Sequence, residues 1–206
     1  MFSALTNQQF WWHLSRASGI VAWILVSAVT AWGILLSTRL LKPYDRPAWL
    51  LDLHRWLGWL SVMTIGLHVG ALVADSYDPQ WAWSETLIPM STSWKPGPVA
   101  WGIVAMYIVA LVQLSSVFMK KLPKSIWRGI HMTSYIACLF TTIHAVTAGT
   151  DRSNQIFGAL AVALSVLLIA LVGIRILYAG QPKTREVIRR TPSAPSAKGE
   201  TNTPVV

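Results

Sequence analysis

The residues able to do chemistry in this sequence are few. Four of them are histidines set in otherwise apolar stretches: His54, His68, His131 and His144. An ionisable side chain at membrane depth is costly and normally marks function. The first two are 14 residues apart and the second two 13; at about 1.5 Å of helical rise per residue, each pair spans roughly 20 Å. On helices running in the same direction, His54 and His131 share one level and His68 and His144 another. An imidazole from each of two facing helices can take the two axial positions of one haem iron. Two such levels stack two haems close enough for an electron to tunnel between them.

The spacing fits one helix better than the other. Fourteen residues are close to four helical turns, so His54 and His68 face nearly the same way. Gly58, Ser61 and Ile65 lie between them on that stripe and are mostly small, leaving room for a porphyrin. Thirteen residues rotate His144 by about 220° from His131 after whole turns. A tightened turn or other irregularity is expected between those two. A single membrane histidine is often only a hydrogen bonder between helices, but four paired by level weigh against that reading. A zinc or copper site would gather its ligands closely, and no Asp, Glu or Cys accompanies either pair. Cys138, between the levels, reads as a buried structural thiol.

The elements that must position these residues are membrane spans. Of 206 residues, 53% are hydrophobic and 12% charged, about half the charge of an ordinary soluble domain. Stretches of about 20 apolar residues occur at 17–38, 53–74, 99–119, 126–149 and 156–178. The expected fold is all-α: a polytopic bundle of five transmembrane helices. Residues 1–16 form a short N-terminal segment, 17–179 the transmembrane domain, and 180–206 a disordered tail rich in Pro, Ser, Thr and charge. The first span is too long and too poorly flanked for a cleaved signal peptide. Asp75 to Pro98, holding Trp81, Trp83 and Trp94, is expected to lie along the surface as an amphipathic segment or short helix. Twelve Trp in all suit a protein with two membrane–water interfaces.

The net charge of +9 follows from topology, not from a nucleic-acid surface. Fourteen Lys and Arg fall after spans one, three and five or at the adjoining helix starts, against Arg16, Lys95 and Arg152 on the other side. The positive-inside rule then places the N-terminus and the Trp-rich loop outside and the C-terminus in the cytoplasm. One cysteine excludes an internal disulfide framework and a thiolate cluster.

Leu53-His54-Arg55-Trp56-Leu57-Gly58 with His68, and Trp127-Arg128-Gly129-Ile130-His131 through Tyr135 to His144, resemble the ferric-reductase-type transmembrane domain. That domain is shared by ferric reductases, NADPH oxidases and the haem subunit of the methionine sulfoxide reductase system. The start Leu14-Ser15-Arg16-Ala17-Ser18-Gly19 is similar to that of small bacterial relatives. The resemblance covers roughly residues 12–178 and implies a bacterial plasma-membrane cytochrome b with two haem b groups. Their ligands would be His54 with His131 on the inner side and His68 with His144 on the outer. Many members carry a sixth helix, and oxidases continue into a flavin and nicotinamide domain; here no Gly-rich nucleotide motif follows the last span. The expected donor is therefore a separate flavoprotein or a quinol, and the acceptor a ferric chelate, oxygen or a redox partner outside.

Haem propionates need cationic partners at the membrane edge. Arg16 is the candidate on the outer side, with anchoring of its helix end an equal alternative, and Arg55 and Arg128 are candidates on the inner, where anchoring is the plainer role. No side chain is assigned a catalytic role of its own. Trp11, Trp12, Trp49, Trp101 and Trp127 read as interfacial belts, Trp56 and Trp59 as membrane-facing packing, His13 as a solvated surface group and Gln113 as a polar bridge between helices. The competing functions are a haem relay or anchor subunit serving a partner enzyme, and a metal-ion or proton transporter using the same histidines.

Overall fold

The computed structural model describes residues 2–38, 40, 47–75 and 81–179. Regular structure among them is helical throughout: α1 (Phe2–Thr38), α2 (Pro47–Ala74), α3 (Trp83–Leu87), α4 (Pro96–Val117), α5 (Lys124–Met132), α6 (Ser134–Ala148) and α7 (Gln155–Ala179), with a 3-10 turn at Thr150–Ser153. The expected tail and the turn residues 41–46 lie outside the described residues, as do the basic residues Arg39, Lys42, Arg46 and those beyond 179. From Phe2 onward the N-terminal segment is part of the same helix as the first span.

Among the described residues four helices are long and apolar enough to cross a membrane: Gln9–Thr38, Ala48–Ala74, Pro96–Val117 and Gln155–Tyr178. The stretch expected as one further span, 126–149, is divided between α5 and α6 at Thr133. The cause is local. The Thr133 N–H donates to the Ile130 carbonyl at 3.0 Å, a bond over three residues that tightens the turn. The Thr133 hydroxyl donates to the same carbonyl at 2.6 Å, so side chain and backbone compete with the regular ladder. The irregularity falls between His131 and His144, where the 13-residue interval requires one.

α1 is the centre of the bundle. It packs along α2 and also meets α6 and α7, while α4 packs mainly on α6. Its buried stripe is small or polar at Ser15, Ser18, Ala22 and Ser27, which lets neighbouring backbones approach. Trp23, Val26 and Ile34 fill the remaining space. Hydroxyls on this stripe bond back into their own helix, Ser18 to the Leu14 carbonyl at 2.6 Å and Thr30 to that of Val26 at 2.8 Å. Large apolar side chains such as Met63, Leu67, Val166 and Ile169 point outward, as they do where the solvent is hydrocarbon.

No extensive contact joins α2 to α5 or α6. The two histidine-bearing elements therefore face each other across a gap. The Trp-rich segment contains the short α3, as expected. Glu85 caps it by accepting from the Ala82 N–H at 3.2 Å, and Tyr107 of α4 pins its end by donating to the Leu87 carbonyl at 2.8 Å.

Candidate functional site

Across the gap the histidines meet in two tiers. The rings of His54 and His131 have centroids 5.9 Å apart and planes inclined by 60°. Those of His68 and His144 are 6.4 Å apart and inclined by 72°. The pairs match level by level, so α2 runs parallel to α5 and α6.

Each ring of the His68–His144 tier is oriented by a backbone carbonyl on a neighbouring helix. His68 Nδ1 lies 2.7 Å from the Ser15 carbonyl of α1, and His144 Nδ1 2.8 Å from the Pro98 carbonyl of α4. A carbonyl only accepts, so each Nδ1 is the donor and Nε2 keeps its lone pair. In metal-binding imidazoles this second contact fixes tautomer and ring direction. In the other tier the Val29 carbonyl lies beside the His54 ring, and the Nδ1 atoms of His54 and His131 are buried with no hydrogen-bond partner among the described residues.

A glycine lies one turn beyond each of these carbonyls. A Cβ on Gly19 would sit 2.9 Å from His68 Cε1, one on Gly33 3.2 Å from His54 Cε1, and one on Gly102 2.6 Å from His144 Nδ1. Three rings are thus laid directly against helix backbone, with the carbonyl at position i and the glycine at i+4. Gly33 and Gly102 were missed in the sequence, although Gly19 and Gly33 repeat the 14-residue interval of the histidines they face. Gly58 has another neighbour, Gln113 Oε1, 2.8 Å from where its Cβ would be; Gln113 does reach from α4 to α2.

Around the outer tier is a cavity of about 440 Å³ lined by His68, His144, Gly19, Gly102 and Ile65, with Trp23 and Phe157 at its wall. Its volume lies within the range of about 300–1,000 Å³ usual for small-molecule sites. Trp12, Trp81 and Trp94 line it too, so the Trp-rich segment borders the cavity and Trp12 is more than an interfacial ring. Arg16 also lines this cavity. Its guanidinium forms a two-pronged ion pair with Asp151, with Nε 3.3 Å from Oδ2, and lies 5.7 Å from the centre of the Trp12 ring.

The cations expected near the His54–His131 tier lie at the surface. Arg55 is exposed and pairs with Asp52 at 3.2 Å, a contact worth at most about 1 kcal/mol; Arg128 is exposed as well. Two cations act on this tier: the charge of Arg175 of α7 on the His131 ring and that of Arg55 on the His54 ring. Trp127, expected in a membrane belt, stacks on that ring with centroids 5.2 Å apart. Trp56 and Trp59 face outward and His13 is exposed. Cys138 is buried, beside Ser27 and Thr30 of α1. Among the described residues no three His, Cys, Asp or Glu gather as a metal-binding group, so the histidines are organised strictly as pairs.

Neither the curated proteins nor the solved structures contain a match to the chain. A family model described as "Ferric reductase like transmembrane component" matches residues 18–142. The match takes in His54, His68 and His131 and ends just before His144. It covers more than half of the 206 residues. The chain therefore belongs to the ferric reductase like transmembrane component family.

Proposed function

We propose that this membrane redox component is a di-haem cytochrome b carrying electrons across a bacterial plasma membrane. Its donor would be a cytoplasmic flavoprotein or a quinol, and its acceptor a ferric chelate, oxygen or a redox protein outside. The observation that carries the reading is the separation of the ring pairs. Two imidazoles bound at about 2 Å on opposite sides of one metal have ring centres roughly 6 Å apart. The two tiers measure 5.9 and 6.4 Å. Three further features fit: donating Nδ1 atoms on the outer rings, the gap between α2 and α6, and a largely apolar cavity beside His68 and His144. Members of the family typically bind haem.

His54 and His131 would hold the inner haem and His68 and His144 the outer. When bound, each haem supplies a one-electron iron couple. The chain's own work is to set the ligand field and keep water out. The Ser15 and Pro98 carbonyls make the outer imidazoles stronger donors, while Trp12, Trp81 and Trp94 shield the outer cavity. Arg16, held by Asp151, is the cation lining the outer cavity and would serve the outer propionates, while Arg55 and Arg128 anchor their helix ends. In this reading α5 and α6 cross the bilayer together as one broken span, making five crossings, with the N-terminus outside and the C-terminus in the cytoplasm.

Reduced-minus-oxidised spectra of the purified protein test the proposal. A b-type haem band is expected, and its absence would end the electron-transfer reading. Reduction of a ferric chelate by the isolated protein with an artificial donor marks an enzyme; dependence on a co-purified protein marks a relay subunit.

A further inference from the structure

Arg175, in the last turns of α7, reaches three other elements. Its guanidinium donates to the Ser37 hydroxyl at the end of α1, lies 3.6 Å from the Met132 sulfur of α5, and sits 5.9 Å from the centre of the Tyr135 ring of α6. A hydroxyl, a thioether and an aromatic face do not neutralise a guanidinium. Among the described residues the ion pairs are Arg16–Asp151 and Arg55–Asp52, and neither includes Arg175. A cation within a membrane helix normally finds an anion.

Met132 and Tyr135 adjoin His131 in the chain, and a second donor lies against that histidine: Trp127 stacks on it, and its indole Nε1–H is buried with no acceptor among the described residues. Buried donors are nearly always satisfied, and an orphan asks for an explanation. A guanidinium against Met132 and Tyr135 and an indole N–H on the His131 ring are complementary to a carboxylate, which accepts several hydrogen bonds and gains most from a charged donor.

We infer that Arg175 and Trp127 form a carboxylate-binding site at the inner tier, and that the carboxylate is a propionate of the haem held by His54 and His131. The inference rests on the di-haem reading and gives Arg175 the part first expected of Arg55 and Arg128. A positive charge at this edge also favours the added electron, so it raises the potential of the inner haem relative to a neutral side chain.

The test is redox titration and haem quantification on the purified holoprotein in phospholipid-free detergent. Arg175→Gln should lower the midpoint potential of one of the two haems and speed its loss on dilution. Arg175→Lys should restore much of the potential, and Trp127→Phe, which keeps the stack and removes only the N–H, should weaken retention of the same haem. Arg128→Gln should leave both haems unchanged. Should Arg175→Gln fail to fold, unaltered haem retention in Trp127→Phe overturns the proposal by itself. Unchanged potential and content in Arg175→Gln overturn it too. A shift seen only in phosphatidylglycerol vesicles would assign the guanidinium to a lipid phosphate instead. A wild-type protein without b-type haem would defeat the parent reading, and this one with it, before any variant is compared.

Discussion

At the scale of single residues, the account turns on how an imidazole is held at a fixed angle inside a bundle. Three of the four rings lie against a neighbouring helix, with a carbonyl at Nδ1 or facing it and a glycine one turn later. Substituting that glycine puts a methyl group where the ring now lies. Gly102→Ala, with its Cβ 2.6 Å from His144 Nδ1, should displace His144 and empty the outer tier at a stability cost of about 1–3 kcal/mol; haem content and thermal unfolding of the variant measure both. His68→Ala should halve the haem per chain and leave the inner site filled, as read from pyridine haemochrome against protein. Equal loss from both tiers in that variant would contradict independent sites. The histidine pairing was legible because spacing and helical rise alone assign levels. The cradles were only half legible. Gly19 and Gly33 repeat the histidine interval, but Pro98 with Gly102 looks like an ordinary helix start. Arg175 was illegible as a site residue, because its neighbours Ser37 and Met132 lie 138 and 43 residues away.

At the scale of elements, the break at Thr133 decides whether His131 and His144 can both face α2. An unbroken helix would turn them about 220° apart, and the break at Thr133, marked by its bond to Ile130, interrupts that register. Inserting one alanine after Thr133 should rotate α6 by about 100° against α5. The expected result is full helical content by circular dichroism with one haem lost; two retained haems would show that the register there is unimportant. The sequence signalled that an irregularity was needed but not where, since Thr133 is one of several Thr and Ser residues able to compete for a backbone carbonyl. The central place of α1 was equally hidden: its hydropathy resembles that of the other spans, and only its small and hydroxylated stripe separates a core helix from a lipid-facing one.

At the scale of the whole molecule, the five apolar runs and the all-helical class followed directly from composition, and the structure divides one of those runs. Orientation rests on charge, most of it on residues outside those described, and it has a direct check. Ser84→Cys in α3 should react with a membrane-impermeant maleimide on intact cells, and Lys121→Cys only after permeabilisation. The native Cys138 is buried and should stay silent. The reverse labelling pattern would invert the direction of electron flow proposed here.

The two-tier arrangement itself is most directly tested by electron paramagnetic resonance of the oxidised, purified protein, with haem counted per chain. On the di-haem reading, ring planes inclined by 60° and 72° predict two haems per chain, each of which would give the highly anisotropic low-spin ferric signal of steeply crossed imidazole ligands. A single haem per chain, or high-spin iron in a correctly folded sample, would contradict the pairing of His54 with His131 and of His68 with His144.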